Sequence, residues 1–186
     1  AVSNIDMGTI FEELLRRFNE ENNEEAGEHF TPRDVIHLLS QMVFEPVLDD
    51  LPQIIQIYDP ACGSGGMLTE ASDYLISRGV AQDALEISGT AINPETYAIC
   101  KSDLIIKNVN PDGIHCGNTL TINHFANRTF GYMITNPPYG KSWKEDKKKI
   151  YHDKELTDSR FFLPLQQFDG ETADVDGSTR TSDGQL

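Results

Sequence analysis

The segment YMITNPPYG, Tyr132 to Gly140, closes an apolar run with a neutral amide, two prolines and an aromatic ring. An ordinary turn needs no such combination. The residue types suit one piece of chemistry. An amine on an aromatic ring is a poor nucleophile because its lone pair is delocalised into the ring. Two preorganised hydrogen-bond acceptors can draw that nitrogen toward tetrahedral geometry. The side-chain oxygen of Asn136 and a neighbouring backbone carbonyl could form such a pair. Pro137 and Pro138 hold φ near about −65°, which restricts the carbonyl direction. Tyr139 offers a ring on which an extruded base can stack. The competing reading is a proline-rich turn after a buried strand.

A second stretch, DPACGSGGML, sets Gly63, Gly65 and Gly66 between a strand and a helix. Glycine permits positive φ and leaves no Cβ between the backbone and a bound molecule. A tight turn that binds nothing could use the same residues. No Gly-Lys-Ser/Thr follows, so a Walker phosphate loop is excluded, and the dinucleotide fingerprint fails at its sixth position, Leu68. What remains is a nucleoside-like ligand without phosphates, approached closely by backbone.

Both stretches need a scaffold, and the hydrophobic pattern supplies one. From Met7 to about Asn22, apolar residues recur at helical spacing. The segment TPRDVIHLLSQMV predicts a second helix to about Val43, with Thr31 as N-cap and Pro32 at the first helical position. A linker with Pro46 and Pro52 follows. Residues 54–59 read as a strand, then comes the glycine turn, then a helix up to Gly79. The pattern repeats: ALEISGTAI reads as a strand and the stretch from Pro94 as a helix. GIHCGN and residues 132–135 supply a third and a fourth strand. Strands alternating with helices predict a mostly parallel, doubly wound α/β sheet with helices on both faces. Ligands of such sheets sit outside the carboxyl ends of the strands, where both unusual stretches fall. The tail from about Phe168 to Leu186 is polar and turn-rich and reads as loop.

The 186 residues are enough for one domain with a core and few for two. The chain reads as residues 1–45 entering by helices, residues 54–140 forming the core, and residues 141–186 forming a basic loop and polar tail. Thirty acidic against 15 basic residues give a net charge of −15, which disfavours holding nucleic acid unaided. Five lysines gather from Lys141 to Lys149, in either a solvated or a phosphate-facing loop. Cys62, Cys100 and Cys116 lack metal or disulfide spacing and read as reduced thiols, and the five histidines are scattered, so no metal is expected. No apolar run approaches a membrane span and the amino terminus lacks a secretory pattern, so a cytoplasmic address is expected.

DPACGSGG followed about 70 residues later by NPPYG, with GEHFTPRDVI upstream, resembles the amino-methylating DNA methyltransferases. The resemblance is strongest to the N-6 adenine-specific modification subunit of type I restriction-modification systems. It runs from about Gly27 to Gly140, and SDGQL near the end is similar to the family's next motif. It implies a Rossmann-like methyltransferase fold, here a core fragment truncated after the fourth strand, and S-adenosylmethionine as methyl donor. Glu28, His29, Phe30, Thr31, Pro32 and Arg33 match the motif that closes over the cofactor. Asp59, Ala61, Cys62, Gly63, Ser64, Gly65 and Gly66 match the loop under its methionine part, and Asn93 falls in the cofactor-binding segment after the second strand. Asn118 corresponds to a position that contacts the cofactor's adenine, although a plain turn-capping role fits it equally. Asn136, Pro137, Pro138 and Tyr139 match the catalytic motif. One departure stands out: Ala91 occupies the place where the family commonly carries a glutamate for the ribose hydroxyls.

The partners implied are DNA, a specificity subunit and a second modification subunit, with a restriction subunit as a further one. Asn-Pro-Pro-Tyr also serves methyltransferases of RNA bases and of protein glutamine, and Ala91 favours a third alternative, an inert fragment that binds cofactor weakly or serves as an interaction surface.

Overall fold

The computed structural model describes residues 31–138, 142–152, 155–156, 158–163 and 175–176, together with residues 10, 13 and 14. The expected first helix lies outside these apart from Ile10, Glu13 and Leu14, which are helical. The chain divides into two compact units, Ala1–Pro137 and Pro138–Leu186.

In the first unit the elements are helix α1 (Arg33–Phe44), strand β1 (Ile55–Asp59), helix α2 (Gly66–Ser77), strand β2 (Leu85–Ala91), helix α3 (Pro94–Ile106), strand β3 (Ile114–Cys116) and strand β4 (Tyr132–Met133). The four strands form one sheet in the order β3-β2-β1-β4, and every pairing is parallel. The alternation expected of a parallel α/β fold is therefore present. Strand β2 is buried at every residue except Glu86, as a central strand covered on both faces should be. In β1 the even and odd positions part company. Ile55, Ile57 and Asp59 are buried, and Gln56 and Tyr58 are half-buried. Tyr58 stacks on Phe130 at 4.4 Å and meets Phe125 edge-on at 5.2 Å, so aromatic residues of the segment after β3 pack on its ring.

Helix α1 buries Ile36, Ser40 and Phe44, spaced one turn apart. Phe44 is fully buried and meets the rings of Tyr74 at 6.5 Å and Tyr132 at 5.0 Å, tying α1 to both α2 and β4. The helix starts one residue later than its sequence predicts. Pro32, with φ −56° and ψ 137°, is the N-cap, and no side chain caps the helix. Instead the Pro32 carbonyl accepts from the N–H groups of Val35 and Ile36. A residue before proline is driven out of helical geometry, which leaves Thr31 outside the helix with its hydroxyl turned to another use. The stretch around Pro46 is also more ordered than a linker, forming a 3-10 turn over Glu45–Asp50.

In the second unit, the lysine-rich stretch read as a loop is instead helical, forming α4 (Lys144–Ile150). Its sequence explains this. Glu145 and Asp146 occupy the first turn and Lys147, Lys148 and Lys149 the last, the arrangement that complements the helix dipole. Lys148 also pairs with Glu145 at 2.5 Å, and Lys147 lies over the rings of Trp143 and Tyr151. This unit also holds two short antiparallel pairs, β5 (Tyr151–His152) with β6 (Glu155–Leu156) and β7 (Phe162–Leu163) with β8 (Val175–Asp176), and a 3-10 turn over Ser159–Phe161. The rest of the expected polar tail lies outside the described residues.

Candidate active site

Strand β1 ends in Asp59 because its apolar alternation carries the carboxylate onto the same buried face as Ile55 and Ile57. Asp59 is almost completely buried and is stabilised locally. Its Oδ1 accepts from the Thr135 hydroxyl at 2.7 Å and from the Ala61 N–H at 2.9 Å. Burial nonetheless pushes this carboxyl up to about 6, with the Thr135 and Ala61 bonds working against the rise.

After Asp59 the chain turns through two left-handed glycines, Gly63 at φ 51° and Gly65 at φ 88°. Gly65 is also the N-cap of α2, and its N–H donates to the Cys62 carbonyl at 2.7 Å. A Cβ at Gly65 would lie 2.5 Å from Cys100 Sγ, so this position requires glycine for space as well as for conformation. The loop is tied to the neighbouring strands. The Cys62 N–H donates to the Thr90 carbonyl at 3.0 Å, and the Thr119 hydroxyl donates to the Pro60 carbonyl. The Cys62 thiol, hydrogen-bonded to the Cys100 thiol and buried, has its pKa raised far above the ordinary range. It is therefore no nucleophile.

The edge of β2 ends in Ala91, whose side chain is fully buried and whose carbonyl accepts from the Gly117 N–H at 2.9 Å. Asn93 caps α3, its side-chain oxygen accepting from the Glu95 N–H at 2.7 Å. Asn118 has the turn-capping bond weighed for it, its oxygen accepting from the Leu120 N–H at 2.9 Å. The Arg33 guanidinium lies 3.1 Å from Glu70 on α2.

Beyond β4 the Ile134 N–H still pairs with the Tyr58 carbonyl at 3.1 Å, so residues 134 and 135 continue along the edge of β1. Asn136 is delivered there half-buried, and its Nδ2 donates to Thr31 Oγ1 at 3.1 Å, a contact between residues 105 positions apart. Thr31, Asn136, Thr135, Asp59 and Ala61 thus form one linked group drawn from three separated stretches of sequence. Pro137 and Pro138 are exposed. Of the remaining expected residues, Glu28, His29, Phe30 and Tyr139 lie outside the described residues.

Thr135 is the residue that motif reading passes over. The available signal was its type: a hydroxyl one position before the end of an apolar strand must find a partner, and the neighbouring strand ends in a carboxylate. A cavity of about 660 Å³ lined by Gln82, Glu86, Ser88, Asn110, His115 and Arg128 touches none of the expected site residues. Among the described residues, no cluster of three ligating side chains could hold a metal ion. Nor is any helix among them long and apolar enough to cross a membrane.

A family model described as N-6 DNA Methylase matches residues 3–169. The chain belongs to the N-6 DNA methylase family. The methylase subunit of the type I restriction enzyme MjaIX from Methanocaldococcus jannaschii is 33% identical over 143 residues, 76% of this chain and 24% of that subunit. A solved type I restriction-modification methyltransferase subunit from Streptococcus thermophilus superposes with a TM-score of 0.61 at 26% identity, covering 76% of this chain and 29% of that one. A Listeria monocytogenes chain described as a class I S-adenosylmethionine-dependent methyltransferase superposes at 0.65 with 15% identity, covering 86% of this chain and 48% of that one, which shows the shared fold. The methylase segment thus spans about a quarter of the curated relative it matches. Its sheet is that of the class I methyltransferases.

The residues present fit such a cofactor in one respect and depart from it in another. The two left-handed glycines give a backbone turn free of side chains at the carboxyl edge of β1 and the start of α2, as a cradle for a nucleoside-bearing ligand needs. At the end of β2, however, Ala91 has no acceptor for ribose hydroxyls.

Proposed function

We propose that this chain is the catalytic segment of a DNA methyltransferase that modifies the exocyclic amine of adenine, working within a type I modification subunit. The observation that carries this reading is the linked group at the sheet edge. It brings Thr31 of the Phe-Thr-Pro stretch onto Asn136, and the acid before the glycine loop onto the adjacent Thr135. Family membership supports the same reading.

S-adenosylmethionine, when bound, supplies a methyl group on a cationic sulfur. Asp59 and the turn from Ala61 to Gly66 would hold it, with Phe30 to Arg33 closing from the other side. The remaining work belongs to neutral acceptors. Asn136 Oδ1 and the Pro137 carbonyl accept the two hydrogens of the adenine amine, localise its lone pair and stabilise the positive charge that develops on nitrogen. Tyr139 stacks on the base after it leaves the duplex. The nitrogen–carbon bond would form as the methyl's bond to sulfur breaks, its electron pair left on a then neutral sulfur, and one amine proton would pass to water. No side-chain nucleophile takes part, in keeping with the raised pKa of Cys62.

The net charge of −15 requires help in holding DNA. The reading therefore includes a specificity subunit, a second modification subunit and a restriction subunit as partners, and places the complex in the cytoplasm beside the DNA it modifies. In that complex, Asn136→Ala should leave cofactor affinity nearly unchanged and cut methyl transfer by about a hundredfold or more. Normal turnover by the variant would remove Asn136 from the mechanism and overturn the reading. Ala91 favours a second reading, an inert fragment that binds cofactor weakly or serves as an interaction surface; methyl transfer to duplex DNA by the assembled complex separates the two, since the inert fragment transfers none.

A further inference from the structure

Thr31 belongs to the segment matched to the cofactor, yet its hydroxyl oxygen is bonded to the amide of Asn136. We infer that Thr31 is a positioning residue for catalysis: it fixes which end of the Asn136 amide faces the substrate amine. This rests on the methyltransferase reading above and adds a role for a residue that reading gives only to the cofactor.

A side-chain amide has two orientations, half a turn apart, that fill nearly the same space but exchange an acceptor for a donor. Only one is useful here. With Oδ1 outward, Asn136 accepts a hydrogen of the amine. With the –NH2 group outward, a donor faces a donor, and the lone pair gains nothing. The backbone of Asn136 is already constrained, because Thr135 is anchored on Asp59 at 2.7 Å and Ile134 on Tyr58 at 3.1 Å. What those bonds leave undetermined is the rotation of the terminal amide, a torsion with a broad, two-fold profile. In the orientation present, the bond from Nδ2 to Thr31 Oγ1 occupies the nitrogen end, which turns Oδ1 away from Thr31.

Two features make Thr31 suited to this. Pro32 takes the N-cap position with no side-chain cap, so the threonine hydroxyl is not used on its own helix. The following proline also restricts Thr31 to extended backbone, which limits where the hydroxyl can point. The reverse pairing, with the hydroxyl donating to Oδ1, would aim –NH2 at the substrate and make Thr31 inhibitory. The two arrangements therefore predict opposite effects of removing the hydroxyl.

The test uses the full-length methylase assembled with its specificity subunit on duplex DNA. Single-turnover methyl transfer and S-adenosylmethionine affinity are measured for Thr31→Val, Thr31→Ser, Asn136→Ala and the double variant Thr31→Val with Asn136→Ala. Valine keeps the shape and removes the acceptor. Thr31→Val should slow methyl transfer about five- to tenfold, the size of one neutral hydrogen bond, a loss measured at saturating cofactor and larger than any loss of cofactor affinity. Thr31→Ser should restore most of the rate. In the Asn136→Ala background, Thr31→Val should add nothing, since the residue acts only through that amide.

An unchanged or faster rate for Thr31→Val overturns the inference. So does a loss confined to cofactor affinity, which would return Thr31 to the cofactor, or a Thr31→Ser variant no better than the valine. A global folding defect in Thr31→Val would appear as a lowered thermal midpoint, and the serine variant then decides alone. Failure of the underlying reading is distinguishable: it appears as full activity in Asn136→Ala, whatever Thr31 does.

Discussion

Gly65 offers a sharp test of how the cofactor loop is built. At φ 88° an alanine costs about 1–2 kcal/mol, because an L side chain crowds the backbone in the left-handed region. Its Cβ would also lie 2.5 Å from Cys100 Sγ, inside a site where Cys100 is fully buried, and such overpacking costs about 1–3 kcal/mol. Gly65→Ala should therefore destabilise the fold by about 2–5 kcal/mol. The two contributions separate in a double-mutant cycle. Cys100→Ala removes the sulfur and leaves Cys100 Cβ, 3.3 Å away, as the nearest atom. In that background the glycine substitution should cost only the conformational part, so the cycle should show a favourable coupling of about 1–3 kcal/mol. Urea unfolding of the four proteins measures it, and each kcal/mol should move the thermal midpoint by roughly 2–4 °C at this chain length. Additivity within about 0.5 kcal/mol would refute the steric argument and leave φ as the whole cause.

Asp59 makes stability depend on pH in an unusual direction. Its carboxyl is raised from 3.8 to about 6 in the fold, so its contribution is full below about pH 4 and fades as pH rises through 6. Relative to Asp59→Asn, the parent should lose about 2 kcal/mol between pH 4 and 7, and a pH-independent difference in urea stability would refute this. Ala91→Glu should tighten S-adenosylmethionine roughly ten- to a hundredfold by calorimetry, because a charge-assisted bond to the ribose becomes available. An affinity no better than the parent's would show that the ribose lies elsewhere. Replacing Lys147, Lys148 and Lys149 with Ala should weaken DNA binding by the assembled complex about equally on all sequences and reduce its salt slope by about 2, as filter binding across a salt series would show. An unchanged slope would mean that α4 faces away from phosphate.

The sheet was legible because its signals are local. Ile55 to Asp59 alternate, glycines follow, and Pro94 opens a helix whose cap, Asn93, is its immediate neighbour. Asp59, Gly63 and Gly65 stood out for the same reason. What could not be read are the contacts that sequence distance hides. Thr31 looked like an N-cap because threonine ahead of a helix usually is one, a preference worth about 1 kcal/mol. It lost to a partner 105 residues away that no local pattern reveals. Thr135 was overlooked for the same cause, since its partner Asp59 lies 76 residues back. The lysine run reads as a loop from its charge content alone. The order of that charge, acids first and lysines last, is what supports a short helix.

The proposed mechanism relies on neutral acceptors, and the electrostatics of a neighbouring group give a reason. Asp59 is joined through Thr135 to Asn136, the proposed acceptor of the amine's hydrogen. With its pKa near 6, Asp59 changes charge within the range where small shifts matter. A carboxylate in place of Asn136 would be a stronger acceptor when ionised. It would also place a second negative charge near Asp59, and each group would raise the other's pKa until one was protonated at neutral pH. A protonated carboxyl presents a donor, the wrong group for an amine. An amide keeps its acceptor at every pH, and its one weakness, the ability to turn its nitrogen outward, is the one that the proposed role of Thr31 would correct.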